Sequence, residues 1–305
     1  MDKYSALFFL LTLVSCGVTP ESPVEIDAEN QSQAYIEYGY STDSRLNEIS
    51  GMIESVQYPN NFWVHNDSGD QPRIFRVNRE LEIVQEVQIE GVNHVDWEDI
   101  AYGNYGSQKT LFIGDIGDNL AVRDQIQIYL LSEPIEGEVS NESLRSLQLS
   151  YPDGPRDAEA LLYDDNSNEI VIITKRDERS RVYTYPLNVS DTGLLNFEGE
   201  LQLENVGELE AGSKYRITAA DAIANKGVVI KNYQEVYLYP LNESERYASA
   251  LISRSPSKLQ YKAELQGEAI SLEVNYQGYW VTSECADDGA DHQAQPLYYY
   301  RFTKE

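Results

Sequence analysis

The apolar positions of this chain fall into short runs. "FWVHND", "LFIGDIGD", "IVIITKRD", "GVVIKNY" and "GYWVTSE" open on nearly unbroken aliphatic and aromatic stretches, the pattern of strands buried on both faces. "RIFRVN", "IQIYLLS", "RVYTYPL", "EVYLYPL" and "LYYYRF" alternate instead, as strands with one polar face do. Clusters of Gly, Pro, Asn and Asp separate the runs, and helical periodicity is almost absent. The pattern predicts an all-β chain.

A repeat organises the runs. "EISGMI" at Glu48, "EDIAYG" at Glu98, "EALLYD" at Glu159, "ADAIAN" at Ala220 and "EAISLE" at Glu268 align at intervals of 50, 61, 61 and 48 residues. Each phrase reads as a strand opened by an acid, displaced to Asp221 in the fourth copy. A turn, a continuous apolar strand and an alternating strand follow each time. A fourth strand precedes the next copy: "IVQEVQIE", "LRSLQLSY", "FEGELQLE" and "LQYKAELQ". The fifth copy lacks one, and "AYIEYGYS" ahead of the first copy can supply it. This is how a propeller ring joins its two ends and protects its edges. The expectation is a β-propeller of five four-stranded blades over residues 33–305. Six blades is the alternative, if "EPIEGEVSNESLRSLQLSYPDG" hides a degenerate blade. A two-sheet sandwich would leave the repeat unexplained.

The N-terminus changes the picture of where this domain works. "MDKYSALFFLLTLVSCG" has Lys3 ahead of an apolar run too short to span a bilayer, which reads as a signal peptide over residues 1–15. It closes on Leu13-Val14-Ser15-Cys16, which resembles the lipobox of bacterial lipoproteins, with Cys16 as the lipidated residue. By the same resemblance, Gly17 after the cysteine favours the outer membrane. Residues 16–32 read as lipidated cysteine and flexible polar tether. The other cysteine is Cys285. With Cys16 acylated the fold has no disulfide and stands on its core.

Charge narrows the partners. The formal net charge is −28, which argues against nucleic acid and against adhesion to anionic lipid. The membrane is then met through the lipid anchor alone. A monomer is expected, and the charge favours cations.

Topology collects the acids. In a propeller the first strand of each blade lines the channel, and its start lies on the same face as the turn between strands two and three. One mouth should therefore gather Glu48, Asp96, Glu98, Asp99, Asp157, Glu159, Asp221 and Glu268. From the turns it should also gather "HNDSGD" (His65, Asn66, Asp67, Asp70), "GDIGDN" (Asp115, Asp118, Asn119), "TKRDER" (Lys175, Arg176, Asp177), "KNYQ" (Lys231, Asn232) and "TSE" (Ser283, Glu284). So many carboxylates repel one another unless they are protonated, neutralised by cations, or paired with Lys175, Arg176, Arg123 and Lys231. Oxygen-only ligands in irregular loops suit a hard cation, Ca2+ before Mg2+. "DDNSNEIVIITK" starts like an EF-hand loop, but Glu169 replaces the required Gly and Lys175 the bidentate Glu. It reads as a hairpin turn. His65, His94 and His292 lack zinc spacing. His65 could serve as base or ligand, although a hydrogen-bonded turn histidine is the simpler reading. One acid per blade could be structural, accepting backbone N–H groups from the neighbouring blade. Asp96 and Asp99 around Glu98 exceed that need.

"DWEDIAYG…LFIGDIGDN", "YPDGPRDAEALLYD", "ITAAD" and "GEAI…GYWVTSE" resemble, in order over most of residues 45–300, a family of largely uncharacterised bacterial secreted or lipid-anchored β-propellers. More distantly the chain is similar to phytase-like, esterase-like propeller domains. That likeness implies Ca2+ in an acidic channel mouth and hydrolysis of phosphomonoesters by metal-activated water. It would make Glu98, Asp99, Asp115, Asp118, Glu159, Asp221 and Glu268 metal-ligand candidates, and Asp96 joins them as an acid in excess of the repeat. Lys175, Arg176 and Lys231 would contact phosphate, with His65, read above as base or ligand, as a further substrate-binding candidate. Two readings stand side by side. One is a metal-dependent phosphoester or ester hydrolase of the cell envelope. The other is a non-enzymatic propeller binding a glycan, peptide or envelope protein, with Ca2+ ordering its loops. A purely structural acidic channel is the third.

Overall fold

The computed structural model describes residues 35–106, 108–136, 144–187, 201–209, 216–285 and 295–302. Cys16 and His292 lie outside them. Five sheets form, antiparallel except for one short parallel pair. Strands β1 (Tyr35–Ser41), β2 (Ile49–Glu54), β3 (Asn61–Asn66), β4 (Arg73–Asn78) and β5 (Ile83–Gln88) come first. Then follow β6 (Trp97–Tyr105), β7 (Gln108–Asp115), β8 (Ile126–Ser132), β9 (Arg145–Ser150), β10 (Ala158–Asp164), β11 (Glu169–Thr174) and β12 (Arg181–Pro186). The remaining strands are β13 (Leu201–Gln202), β14 (Glu204–Glu208), β15 (Ala219–Ile223), β16 (Gly227–Lys231), β17 (Val236–Pro240), β18 (Ser257–Lys258), β19 (Ala269–Leu272), β20 (Gly278–Thr282) and β21 (Gln295–Arg301).

The blades are β2-β3-β4-β5, β6-β7-β8-β9, β10-β11-β12-β14, β15-β16-β17-β18 and β19-β20-β21-β1. Their inner strands touch in cyclic order, β2 to β6, β10, β15, β19 and back to β2. This is a five-bladed propeller, and β1 closes it by pairing with β21 from Tyr35↔Tyr300 to Ser41↔Gln295. The insertion weighed as a sixth blade carries β9, the fourth strand of blade two.

The unbroken apolar runs are explained by five hydrophobic clusters, one at each blade junction. In β11, Ile170 and Ile172 face blade two, whereas Val171 and Ile173 face blade four. A strand between two neighbours has no solvent face, so period-two polarity disappears.

Two fourth strands differ from expectation. In "FEGELQLE" the pair Leu201–Gln202 joins blade two, parallel to β9. Blade three takes Glu204–Glu208 instead. In blade four "LQYKAELQ" forms no strand, and only Ser257–Lys258 pairs with β17. Helix α1 (Tyr247–Ser253) lies just before it. Tyr247, Ala248, Ala250 and Leu251 bury one face of that helix between blades three and four. The helix covers apolar edges that a longer strand would otherwise cover.

Polar ties close the ring along the channel. Ser50 Oγ donates to the Glu98 carbonyl at 2.6 Å, blade one to two. Asp99 accepts the Leu161 N–H at 2.9 Å and the Ala220 N–H at 3.2 Å, so blade two holds three and four. Asp221 accepts the Leu272 N–H at 2.7 Å, blade four to five. The Glu54 N–H donates to Ser271 Oγ at 2.8 Å, blade one to five. The structural use of channel acids thus falls on Asp99 and Asp221 rather than on the repeated glutamate.

Asp99 also accepts its neighbour Ile100 N–H at 2.9 Å and is fully buried. Replacing it by Ala leaves three buried donors unpaired, each worth about 1–3 kcal/mol. Urea denaturation of Asp99→Ala is expected to show a loss of at least about 3 kcal/mol, with Asp99→Asn, which keeps one acceptor oxygen, losing less.

Candidate functional site

Inner strands β6 and β10 each begin with a β-bulge. Trp97 pairs with Asp115 and Asp99 with Gly114, leaving Glu98 as the extra residue. Ala158 pairs with Thr174 and Ala160 with Ile173, leaving Glu159 extra. A bulge re-aims its side chain and disrupts local pairing. Blade one has the same bulge, but Ser50 occupies it. Glu268 sits one residue ahead of the first paired position of β19, with no bulge. The aligned glutamates are therefore not equivalent in space. Glu48 is exposed.

Three interlocking carboxylate groups form at the mouth: Asp67, Glu268 and Glu284; Asp67, Asp96 and Glu98; and Glu98, Asp157 and Glu159. In each, one oxygen per residue lies within 4.8 Å of the others. Strand-one starts and strand-two turns do meet at one mouth. Gly117 makes room for them, since a β-carbon there would overlap Glu98 Oε1 and Asp96 Oδ2.

Lys175 is the ammonium set among these acids. Its Nζ pairs with Glu159, lies 3.8 Å from Glu268 Oε1 and donates to Tyr233 Oη at 3.0 Å. Tyr233 in turn donates to Glu268 at 2.8 Å. Arg176 Nε lies 2.6 Å from Asp157 Oδ2 and the side chain is half exposed. Seven carboxylates against these cations leave a large excess. Two ionised carboxylates 4 Å apart repel by about 4 kcal/mol at an effective dielectric of about 20. Protons relieve this in the metal-free chain. Burial, then Glu159, pushes the Glu98 carboxyl well up. Burial raises Glu159 strongly despite Lys175. Burial pushes Asp67 up to about 7, and burial with Glu268 pushes Glu284 up to about 10.

Other candidates are placed elsewhere. Asp99 and Asp221 are spent on backbone N–H groups and take no part in the three groups. Asp115 accepts the N–H of Asp96 at 3.1 Å and pairs with Arg123 at 2.8 Å. Asp118 accepts the Arg123 N–H at 2.7 Å. Arg123 also donates to the Gly117 carbonyl at 2.6 Å. These acids hold the "GDIGDN" loop in shape. The Asp118 N–H donates to Asp157 at 2.8 Å, so the loop also steadies one member of the groups. Lys231 is 0% exposed, against Glu264 at 3.6 Å and the Tyr261 ring. His65 is also 0% exposed, edge-on to Trp97, with burial lowering its pKa to about 4. Neither reaches a surface a ligand could touch. Asp67, Asp157 and Glu284 join the groups without having been assigned to a metal. The topological argument already put them at this mouth. Tyr233 carried no signal beyond its place in "KNYQ".

No family model and no curated protein matches the chain. Solved structures that resemble it include hydrazine synthase of Kuenenia stuttgartiensis, at 11% identity and TM-score 0.42, covering 84% of this chain. The chain spans 63% of that one. A structural-genomics gluconolactonase candidate matches at 12% identity and TM-score 0.44, over 85% of this chain and 77% of that one. The WD40 repeats of RRP9 match at 8% identity and TM-score 0.42, over 88% and 98%. No activity is carried over from them.

The raised carboxyls set a pH dependence. Without metal, the folded chain holds protons that the unfolded chain releases above the ordinary carboxylate range near 4. Stability then falls as pH rises from there through about 7, where Asp67 ionises. Melting in EDTA is expected to drop from pH 5 to pH 8, and millimolar Ca2+ to flatten that slope. A melting temperature that rises over this range would contradict it.

Proposed function

We propose that this propeller binds Ca2+ in its acidic channel mouth and uses it to engage an oxyanionic group of a ligand. The observation that carries the reading is Glu98, a bulge residue shared by two of the three carboxylate groups. Asp67, Asp96, Glu98 and Asp157 would hold the cation, with Glu268 and Glu284 completing a second position. The donors are all carboxylate oxygens on irregular backbone, which suits a hard cation of flexible geometry. Ca2+ so held supplies Lewis-acid polarisation of a phosphoryl or carbonyl oxygen, the chemistry of a metal-dependent phosphoester or ester hydrolase. Lys175 and Tyr233 border the same acids and would orient the anion, and half-exposed Arg176 stands at the rim.

Calorimetric titration is expected to register Ca2+ binding that Glu98→Gln abolishes. Asp118→Asn, which alters a hydrogen bond inside the loop, weakens it less. Lys175→Met frees the Glu159 and Glu268 carboxylates and is expected to raise the number of ions bound. No heat with the unaltered protein would end the reading. Turnover of phosphate or carboxyl esters that EDTA stops and Ca2+ restores would identify a hydrolase. Binding without turnover identifies a ligand-binding propeller.

The setting is the cell envelope, with Cys16 lipidated at the outer membrane. The sequence Leu13-Val14-Ser15-Cys16 behind an apolar run supports this. Cys16→Ser is expected to move the protein from the detergent to the aqueous phase on Triton X-114 partitioning. Unchanged partitioning would remove the anchor.

A further inference from the structure

A cleft of about 460 Å3 opens at the outer side of blade two. Asp124, Gln125, Ser150, Tyr151, Gly154 and Gln202 line it, and none of the mouth carboxylates does. Its volume falls in the range of small-molecule sites, about 300–1,000 Å3.

Sheet register explains the polar lining. Ile126 pairs with Leu149, and the next residues toward the strand ends are Gln125 and Ser150. Strand β13 then sets Gln202 beside Ser150 through its parallel pairing with β9. Three polar residues therefore stand side by side across β8, β9 and β13. The pairing of Leu201–Gln202 with blade two, which the repeat did not predict, is what completes this row. Gln125, Gln202 and Asp124 are exposed. Ser150 Oγ donates to the Leu201 carbonyl at 3.3 Å and keeps its lone pairs as acceptors.

Tyr151 gives a second, independent observation. The residue is 6% exposed and its ring packs edge-on against Tyr183, with centroids 4.8 Å apart. Its hydroxyl is buried and makes no hydrogen bond among the described residues. Buried tyrosine hydroxyls ordinarily have a partner, so an orphan in the wall of a cleft points to one supplied from outside.

The lining selects the ligand. It offers one carboxylate, two amides and two hydroxyls, and no cation. An oxyanion would find no counter-charge, because Arg123, next to Asp124 in the chain, is turned to Asp115 and the Gly117 carbonyl. An apolar ligand would leave the polar groups without partners. Amides and hydroxyls both donate and accept, and so do the hydroxyls of a sugar. We infer that this cleft is a binding site for a neutral saccharide, separate from the channel mouth and independent of the Ca2+ reading.

The test is saturation-transfer NMR of the protein in EDTA with maltose, cellobiose and N,N'-diacetylchitobiose. Transfer to at least one disaccharide is expected. It should be lost in the double variant Asp124→Ala, Gln202→Ala at an unchanged melting temperature. Tyr151→Phe keeps the ring against Tyr183 and is expected to lower the affinity about two- to tenfold, the worth of one hydrogen bond. No transfer to any of the three overturns the inference. So does transfer that persists in the double variant, or an affinity that Tyr151→Phe leaves unchanged. Binding of putrescine in place of the sugars overturns it in favour of a cation site. Because EDTA is present throughout, failure here leaves the Ca2+ reading standing.

Discussion

The innermost strand of every propeller blade leaves one hydrogen-bonding edge facing the channel. Buried backbone N–H groups there need acceptors, and the next blade is too far away to pair as a ladder. Short side chains solve the problem. Ser50, Asp99, Asp221 and Ser271 join the five inner strands into a ring of single hydrogen bonds. Asp99 does the most, because one carboxylate collects amides from blades two, three and four. The apolar clusters between blades supply bulk stabilisation, but they are non-directional. The polar ties set how the blades meet.

That geometry concentrates charge. Strand-one starts and strand-two turns converge on one mouth, so any acid placed there meets acids from its neighbours. Two classes of carboxylate result. Asp99, Asp221, Asp115 and Asp118 have backbone N–H partners and are satisfied by the fold. Glu98, Glu159, Asp67, Asp96, Asp157, Glu268 and Glu284 chiefly have one another, with Lys175, Tyr233 and Arg176 as partial relief. Burial pushes the Asp99 carboxyl well up and Asp221 up to about 7 as well, so what sets the second class apart is the closeness of its carboxylates to one another, and that closeness makes the mouth a candidate site.

Much of the fold was legible in the sequence because blade junctions write themselves as apolar runs. The repeat, the blade number and the closure by "AYIEYGYS" all follow from that pattern. The outer strands were less legible. Leu201–Gln202 joins blade two and α1 covers blade four, choices made by tertiary contacts rather than by local periodicity. At the candidate site, the gathering of acids at one mouth was legible and the environment of each acid was not. Bulges at Glu98 and Glu159 insert one residue, so aligned phrases place their acids on different positions in space. A carboxylate that accepts amides across the channel looks the same, in sequence, as one aimed at a cation. His65 and Lys231, read as substrate-binding candidates, are fully buried for a related reason: strand termini at a mouth can turn inward.

The bulges also tell which part of the mouth is dispensable to the fold. Blade one places Ser50 at the bulge position and still makes its inter-blade bond through that side chain. A glutamate is therefore not required there for the ring to close. Glu98 makes its structural bond with its carbonyl, as the acceptor of Ser50, and leaves its carboxylate free for the mouth. The neighbouring Gly117 accommodates that carboxylate by having no β-carbon. Among the described residues no hydrogen bond holds the Glu98 side chain, and burial without a fixed partner is the costly arrangement for a carboxylate. That cost, beside a loop shaped around the side chain, is the reason the proposed cation site is centred on Glu98.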